Sequence, residues 1–409
     1  MTERHNVVVI GAGQAGLSVS HELTALGVEH VVLERGRVGQ TWRGRWDSFC
    51  LVTPNWTVKL PGGEYDGDDP TGFMPRDEIV AHLERYARSF SAPVRERVNV
   101  RELERTTNGF RLRTDDSEIE TKHVVLSTGA YQRPHRPSVT LTPKTHAIDA
   151  EDYTNPAALP PGKVLVVGSG QTGCQIAEEL HESGRDVFLA CGRAPWIERR
   201  IEGRDFVDWL SHTRFFDMTL ADLPSPQARL IANVLSTGHG AGHDMHYRTL
   251  QALGVELLGH LVGVDGHRAI FANDLADSVA FGDARHADTC ALIVNTMNER
   301  GLHAPRFDPV PPFKATPEET IDLRDIATVI FTSGFRPDYT SWVPIPSAFD
   351  DLGFPLHANG ASTAVPGLYF CGVHFLRKRK SSLFLGVGED AAIVARTVAD
   401  RVRAPARAS

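Results

Sequence analysis

The 409-residue chain carries 43 basic and 51 acidic residues, a net charge of −8, so it lacks the basic excess that a nucleic-acid-binding surface needs. Its 41% hydrophobic and 23% charged content is ordinary for a globular protein, its length suits two domains, and no apolar run reaches membrane-spanning length. Five cysteines (Cys50, Cys174, Cys191, Cys290 and Cys371) lie far apart with no C-x-x-C or metal-ligand spacing and read as buried or free thiols.

The first predicted element, Val7-Val8-Val9-Ile10, has no polar alternation, as suits a parallel strand buried on both faces. It begins so close to the first residue that no signal peptide fits, and a cytoplasmic location is expected. The strand runs into G-x-G-x-x-G. Gly11 permits a tight turn, Gly13 lets backbone approach a pyrophosphate, and Gly16 allows close helix–strand packing. Gln14 and Ala15 open a helix whose positive N-terminal end faces the phosphate. Ala15, Val19, Leu23 and Leu26 recur at helical spacing, and Gly27 stops the helix. The next strand, VEHVVLE, ends at Glu34 before Arg35. A carboxylate there accepts hydrogen bonds from ribose hydroxyls and repels a 2′-phosphate, which selects FAD or NAD.

Val124-Val125-Leu126 is another short strand, ending in the turn Ser127-Thr128-Gly129 where chain passes close to a cofactor. Prolines from Pro134 to Pro161 mark a linker. The second nucleotide motif then repeats the first: strand Val164–Val167, Gly168, Ser169, Gly170, Gln171, Thr172 and Gly173, a helix with Ile176, Ala177 and Leu180 inward, and Gly184 as its stop. Because the strand–loop–helix context is complete twice, two dinucleotides are implied. Here the following strand ends in Cys191-Gly192-Arg193, with Arg199 and Arg200 close behind and no acid at its tip. Guanidinium groups so placed could clamp a 2′-phosphate, which points to NADP; the alternative is an ordinary exposed arginine.

Beyond this point the pattern loosens. An insertion over about 197–285 holds aromatics (Phe206, Trp209, Phe215, Phe216, with Trp196 just before it), read either as core or as a cover for the active site. It also holds His239, His243 and His246, whose spacing matches no common zinc motif and is read as a glycine-rich turn before a helix Met245–Leu253. Strand Val329-Ile330-Phe331 ends in the turn Thr332-Ser333-Gly334, strand Leu368–Phe370 in Cys371-Gly372, and Gly388–Ala395 reads as the last helix. Between them Arg377-Lys378-Arg379-Lys380 is read evenly as a solvated loop or as an attractor for an anionic substrate or the NADPH phosphates. The expected organisation is α/β, with two Rossmann-like dinucleotide-binding domains. Residues 1–155 and 326–409 build the FAD domain, into which 156–325 is inserted as the NADP domain.

Over nearly its whole length the chain resembles the class B flavin-dependent monooxygenases, and within them bacterial flavoproteins near the plant YUCCA-type enzymes. The resemblance rests on GAGQAG with Glu34, on Gly39-Gln40-Thr41-Trp42 and the following Arg43–Phe49, on the two hydroxyl-rich turns, on GSGQTG and on Gly367–Phe370. It implies that Gln40, Thr41 and Trp42 contact flavin, and that Asn55, in Leu51–Trp56, hydrogen-bonds flavin, bound water or nicotinamide. The alternative for Asn55 is a Pro-Asn turn. One departure stands out. Where the family has F-x-G-x-x-x-H and an aromatic four residues on, this chain has Thr140, Thr142, His146 and Ala150, with Tyr153 three residues late.

The resemblance implies that NADPH reduces FAD, that reduced flavin traps O2 as a C4a-(hydro)peroxide, and that this oxygenates a small organic substrate at nitrogen, sulfur or a carbonyl carbon. No protein nucleophile and no metal are needed. Two alternatives remain: an NADPH-dependent flavin oxidase or dehydrogenase without oxygen transfer, and a non-catalytic redox-sensing flavoprotein. Flavin disulfide reductases need a cysteine pair whose usual spacing is missing here. The sequence leaves a homo-oligomer open and names no membrane or nucleic-acid partner.

Overall fold

Val7, Val8 and Val9 are wholly out of solvent, and strand Thr2–Ile10 accordingly takes a central place between two parallel neighbours. The structure, a computed structural model, describes residues 2–129, 131–141, 145–231 and 233–404. On one side Val8, Val9 and Ile10 pair with Val31, Val32 and Leu33; on the other, Thr2–Ile10 pairs along Glu118–Leu126. Val94–Glu96 extends the sheet beyond Val31–Glu34, and Leu368–Phe370 closes it beyond Leu126. An antiparallel hairpin, Val100–Thr106 with Gly109–Thr114, pairs with the front of Glu118–Leu126. Helix Gln14–Ala25 packs Leu17, Val19 and Leu23 against Val387, Val394 and Val398 of the terminal helix Val387–Arg403. Sequence-distant ends of the chain therefore share one core.

The second sheet is built the same way. Lys163–Val167 is central and parallel to both Val187–Ala190 and Ile326–Phe331; Glu256–Leu258 and Ala147–Asp149 form the edges. Helix Gln171–Glu182 buries Cys174, Ile176, Ala177 and Leu180 against it.

These pairings correct the expected boundaries. Ile326–Phe331, expected in the closing part of the first domain, lies beside the second nucleotide strand, and Ala147–Asp149, which falls within the expected linker, pairs along the far side of Ile326–Phe331. Ile326–Phe331 is buried there almost throughout, whereas Ala147–Asp149 is half-buried at the edge. Nor is the stretch 197–285 one insertion, because Glu256–Leu258 returns to the sheet edge within it. The helix expected from Met245 starts at Tyr247, with His246 as its N-cap accepting the Thr249 N–H at Nδ1. Helix Leu275–Glu299, 25 residues long, follows. Of the departed linker signature, Thr142 lies outside the described residues.

In each glycine loop the helix rests directly on the strand end. A methyl group built on Gly16 would lie 1.8 Å from the Gly11 carbonyl oxygen, and one on Gly173 1.9 Å from that of Gly168. Gly16→Ala and Gly173→Ala should therefore each force main chain apart and destabilise the protein by about 1–3 kcal/mol. Urea denaturation of the apo-protein checks this, and an unchanged midpoint for either variant would contradict the packing described.

Candidate functional site

The first glycine loop places Gly13 as the N-cap of Gln14–Ala25, in extended conformation. A methyl group built there meets nothing within 4 Å, whereas one at Gly11 would meet the Ser127 carbonyl at 2.6 Å. The space in front of the first helical turn is thus open, and the turn's backbone N–H groups have no intrahelical acceptor. That is the cradle a pyrophosphate needs. Glu34 stands at its side, buried, its two oxygens accepting the Ala12 and Gly36 N–H groups at 2.8 Å each. Fixed in that way, each oxygen keeps a lone pair for a ribose hydroxyl. Arg35 next to it is exposed. These residues fit the adenosine and pyrophosphate of FAD.

Gln14 reaches away from the loop. Its Nε2 donates to the Ser382 carbonyl (3.2 Å) and its Oε1 accepts the Trp42 indole N–H (3.0 Å). The Trp42 ring stacks on Phe384 at 5.3 Å. Trp42 belongs to one helical turn, Gln40–Arg43, which starts after Gly39 in left-handed conformation; Gln40 Oε1 accepts the Arg37 N–H, and Thr41 is exposed. Ala15 meets the end of the last strand, since a methyl group on Gly372 would lie 2.4 Å from its Cβ. The structure therefore brings Gln14, Ala15, Trp42 and Gly372 together at the mouth of the first loop.

The turn after Leu126 runs beneath that loop. The Ser127 hydroxyl is buried there without a hydrogen-bond partner among the described residues. Thr128 and Gly129 are held by Gln132, whose Nε2 donates to Thr128 Oγ1 (2.7 Å) and to the Gly129 carbonyl (3.0 Å) while its Oε1 accepts the Asp338 N–H. The sequence reading missed Gln132, although it sits only three residues beyond Gly129 in the Pro-rich linker.

The second loop repeats the first, with Gly170 as the N-cap of Gln171–Glu182. Ser333 Oγ donates to the Val167 carbonyl and Thr332 Oγ1 to that of Gly168 (2.5 Å), so this turn lies beneath the loop as Ser127-Thr128 does beneath the first. Gly334, at φ +87°, faces open space. Ser169 does not face a ligand. Its buried hydroxyl bonds Tyr247 (2.6 Å) and accepts the Gly192 N–H (2.7 Å), tying the loop to the end of the next strand. Gln171 Nε2 donates to the Ser236 carbonyl, and Thr172 is half-buried.

The arginines separate sharply. Arg193 is exposed, its guanidinium 5.8 Å from the Phe281 ring centre, and no carboxylate pairs with it among the described residues. Arg199 is not a phosphate clamp. It is almost fully buried, paired with Asp205 at 2.5 Å, and donates to Ser236 and to the Val52 carbonyl of the first domain. Arg200 is taken by Asp205 as well.

Two further expectations are changed by hydrogen bonding. Both ends of the Asn55 amide are engaged by main chain, Nδ2 donating to the Asp69 carbonyl (2.9 Å) and Oδ1 accepting the Met74 N–H (2.7 Å). Buried in that way, Asn55 fastens this loop, with one N–H and one lone pair left over. The basic run is not a free patch: Arg377 pairs with buried Asp390, and Lys378 and Lys380 share Asp217 and Glu389. The three histidines also do separate tasks. His243 pairs with buried Glu178 (2.7 Å), His239 approaches Glu182, and His246 caps a helix while packing on Trp196.

Comparison with known proteins agrees with this geometry. The family model for pyridine nucleotide-disulphide oxidoreductases matches residues 8–214. A Geobacillus kaustophilus protein described as an uncharacterized CzcO-like oxidoreductase is 30% identical over 392 residues, covering 94% of this chain and 96% of its own. The indole-3-pyruvate monooxygenase YUCCA1 of Oryza sativa subsp. japonica is 30% identical over 184 residues, 43% of this chain and 45% of that one. Among solved structures, a flavin-containing monooxygenase from Stenotrophomonas maltophilia shares the fold with a TM-score of 0.69 at 18% identity, over 98% of this chain and 99% of that one. The chain belongs to the pyridine nucleotide-disulphide oxidoreductase family, as an FAD- and NADPH-dependent oxidoreductase with two dinucleotide-binding folds, and it is similar to flavoprotein monooxygenases of class B.

Proposed function

We propose that this protein is an NADPH-driven, FAD-dependent monooxygenase acting on a small organic substrate. The observation that carries the reading is the asymmetry of the two nucleotide loops, a fixed carboxylate at Glu34 beside one and an unpaired cation at Arg193 beside the other. When bound, FAD and NADPH would supply hydride transfer and the activation of dioxygen.

The chain's own residues do the rest. Gly13 and the helix it caps would hold the FAD pyrophosphate, Glu34 its ribose, and Gly170 with Arg193 the corresponding parts of NADPH. Trp42, Phe384 and Phe49 pack together and keep water from the mouth of the first loop. Thiol chemistry is set aside by burial, which raises all five thiols above their usual range, so none is poised as a thiolate. The departed linker signature at Thr140 and Ala150 favours a second reading, an oxidase that releases hydrogen peroxide without oxygenating a substrate.

Turnover separates the two. Amines, thioethers, ketones and 2-oxo acids are screened for stimulated NADPH oxidation, with oxygenated product and hydrogen peroxide both measured. At least one class should raise NADPH use with matching product; peroxide equal to NADPH consumed across the whole panel would establish the oxidase. Arg193→Gln should raise KM for NADPH about ten-fold and leave that for NADH unchanged, and equal shifts for both coenzymes would take Arg193 off the 2′-phosphate. Gly13→Ala should leave the urea midpoint of the apo-protein where it is, because its methyl group meets no protein atom, yet weaken FAD binding by about ten-fold or more as that methyl enters the pyrophosphate's space. Full FAD content in this variant would place the pyrophosphate elsewhere.

A further inference from the structure

The segment from Cys371 to Gly386 leaves the last strand of the first sheet and returns to the terminal helix. Both of its ends are fixed at the first glycine loop, by Gly372 against Ala15 and by the Ser382 carbonyl against Gln14. Between them lie two polar side chains that the fold leaves unsatisfied. His374 is more than nine-tenths out of solvent, and its Nδ1 has no hydrogen-bond partner among the described residues. Arg379 has its guanidinium between the Phe215 and Phe375 rings, at 4.4 and 5.0 Å, with a buried Nε that also lacks a partner. Among the described residues no carboxylate pairs with it.

Within this segment only Arg379 lacks an acid partner among the described residues. Its neighbours Arg377, Lys378 and Lys380 are matched by Asp390, Asp217 and Glu389, and nearby Arg229 is matched by Asp350. Phe375, between the two unsatisfied groups, holds a left-handed φ of 54°, the kind of backbone strain that clusters at binding sites. A half-buried guanidinium with its Nε cut off from solvent and no counter-ion carries part of the cost of an unpaired buried charge. An arriving anion would remove that cost.

We infer that Arg379 and His374 bind the carboxylate of a small apolar organic-acid substrate, an assignment that rests on the monooxygenase reading above. A guanidinium fork matches a carboxylate in two parallel hydrogen bonds, and the imidazole supplies a further N–H. Burial and the neighbouring arginines hold His374 down to about 4, so at neutral pH it is uncharged. The pair therefore carries one positive charge, which suits a monoanion rather than a doubly charged phosphate. Burial also lowers Arg379, to about 10, which leaves it cationic. Phe215, reaching over from the segment after Ser211, and the buried Phe375 and Leu376 give the entrant an apolar surround.

The test uses FAD-loaded protein without NADPH, titrated with phenylacetate and with its neutral isostere phenylacetamide. Binding is read by calorimetry and by perturbation of the flavin absorption band. Phenylacetate should bind at least about ten-fold tighter than the amide, and R379Q should remove that preference while keeping its FAD content and thermal midpoint. R379K, which keeps the charge without the fork, should fall between. Wild-type protein that binds the two compounds equally, or binds neither, overturns the proposal without any variant, so a poorly folding R379Q does not shelter it. Unchanged phenylacetate affinity in R379Q, with a shifted flavin reduction potential, would assign the cation to the flavin and likewise overturn it. Because no turnover is read, a protein that binds the acid yet oxygenates nothing sinks the monooxygenase reading and leaves the anion site standing.

Discussion

Each nucleotide site depends on a helix pressed so closely onto a strand end that no side chain fits between them. The contact is made twice with nearly the same spacing, Gly16 against the Gly11 carbonyl and Gly173 against that of Gly168. Close packing fixes the helix axis, and the axis fixes where its unpaired N–H groups point. The floor beneath each loop is set by the adjacent parallel strand, which ends in Ser127 in one sheet and in Thr332 in the other. The open space at Gly13 follows from that arrangement. It exists because everything around it is filled.

Charge is then distributed by hydrogen bonding rather than by composition. Glu34 is held by two backbone N–H groups and so stays in place without a counter-ion. The arginines divide into joints and readers. Arg199 and Arg229 are buried with acids and aromatic rings and hold segments together; Arg193 stands in solvent beside the second loop. A guanidinium serves both purposes because its planar face stacks on rings while its edge carries the donors.

The glycine loops, their flanking strands and the acid at Glu34 were all legible in the sequence, because each follows from a local requirement at fixed spacing. What failed was long-range. Ile326–Phe331 is apolar enough for either sheet, and only its pairing with Lys163–Val167 places it in the second, with Ala147–Asp149 following on its outer side. Helix Leu275–Glu299 escaped because its buried face includes Gly282 and His286, which interrupt the apolar repeat. Asn55, Ser169 and Arg199 carry polar atoms that a motif reading turns toward a ligand. Their partners are main-chain groups and side chains distant in sequence, invisible to spacing. Three of the four cations in the basic run are taken by acids distant in sequence, at Asp217, Glu389 and Asp390.

Arg199 has one more implication. Its donors reach the Val52 carbonyl of one domain while Asp205 and Ser236 hold it in the other. Swinging the domains apart would strip a buried cation of part of its support. Arg199 is thus at once a buried ion pair of one domain and a fastening point to the other.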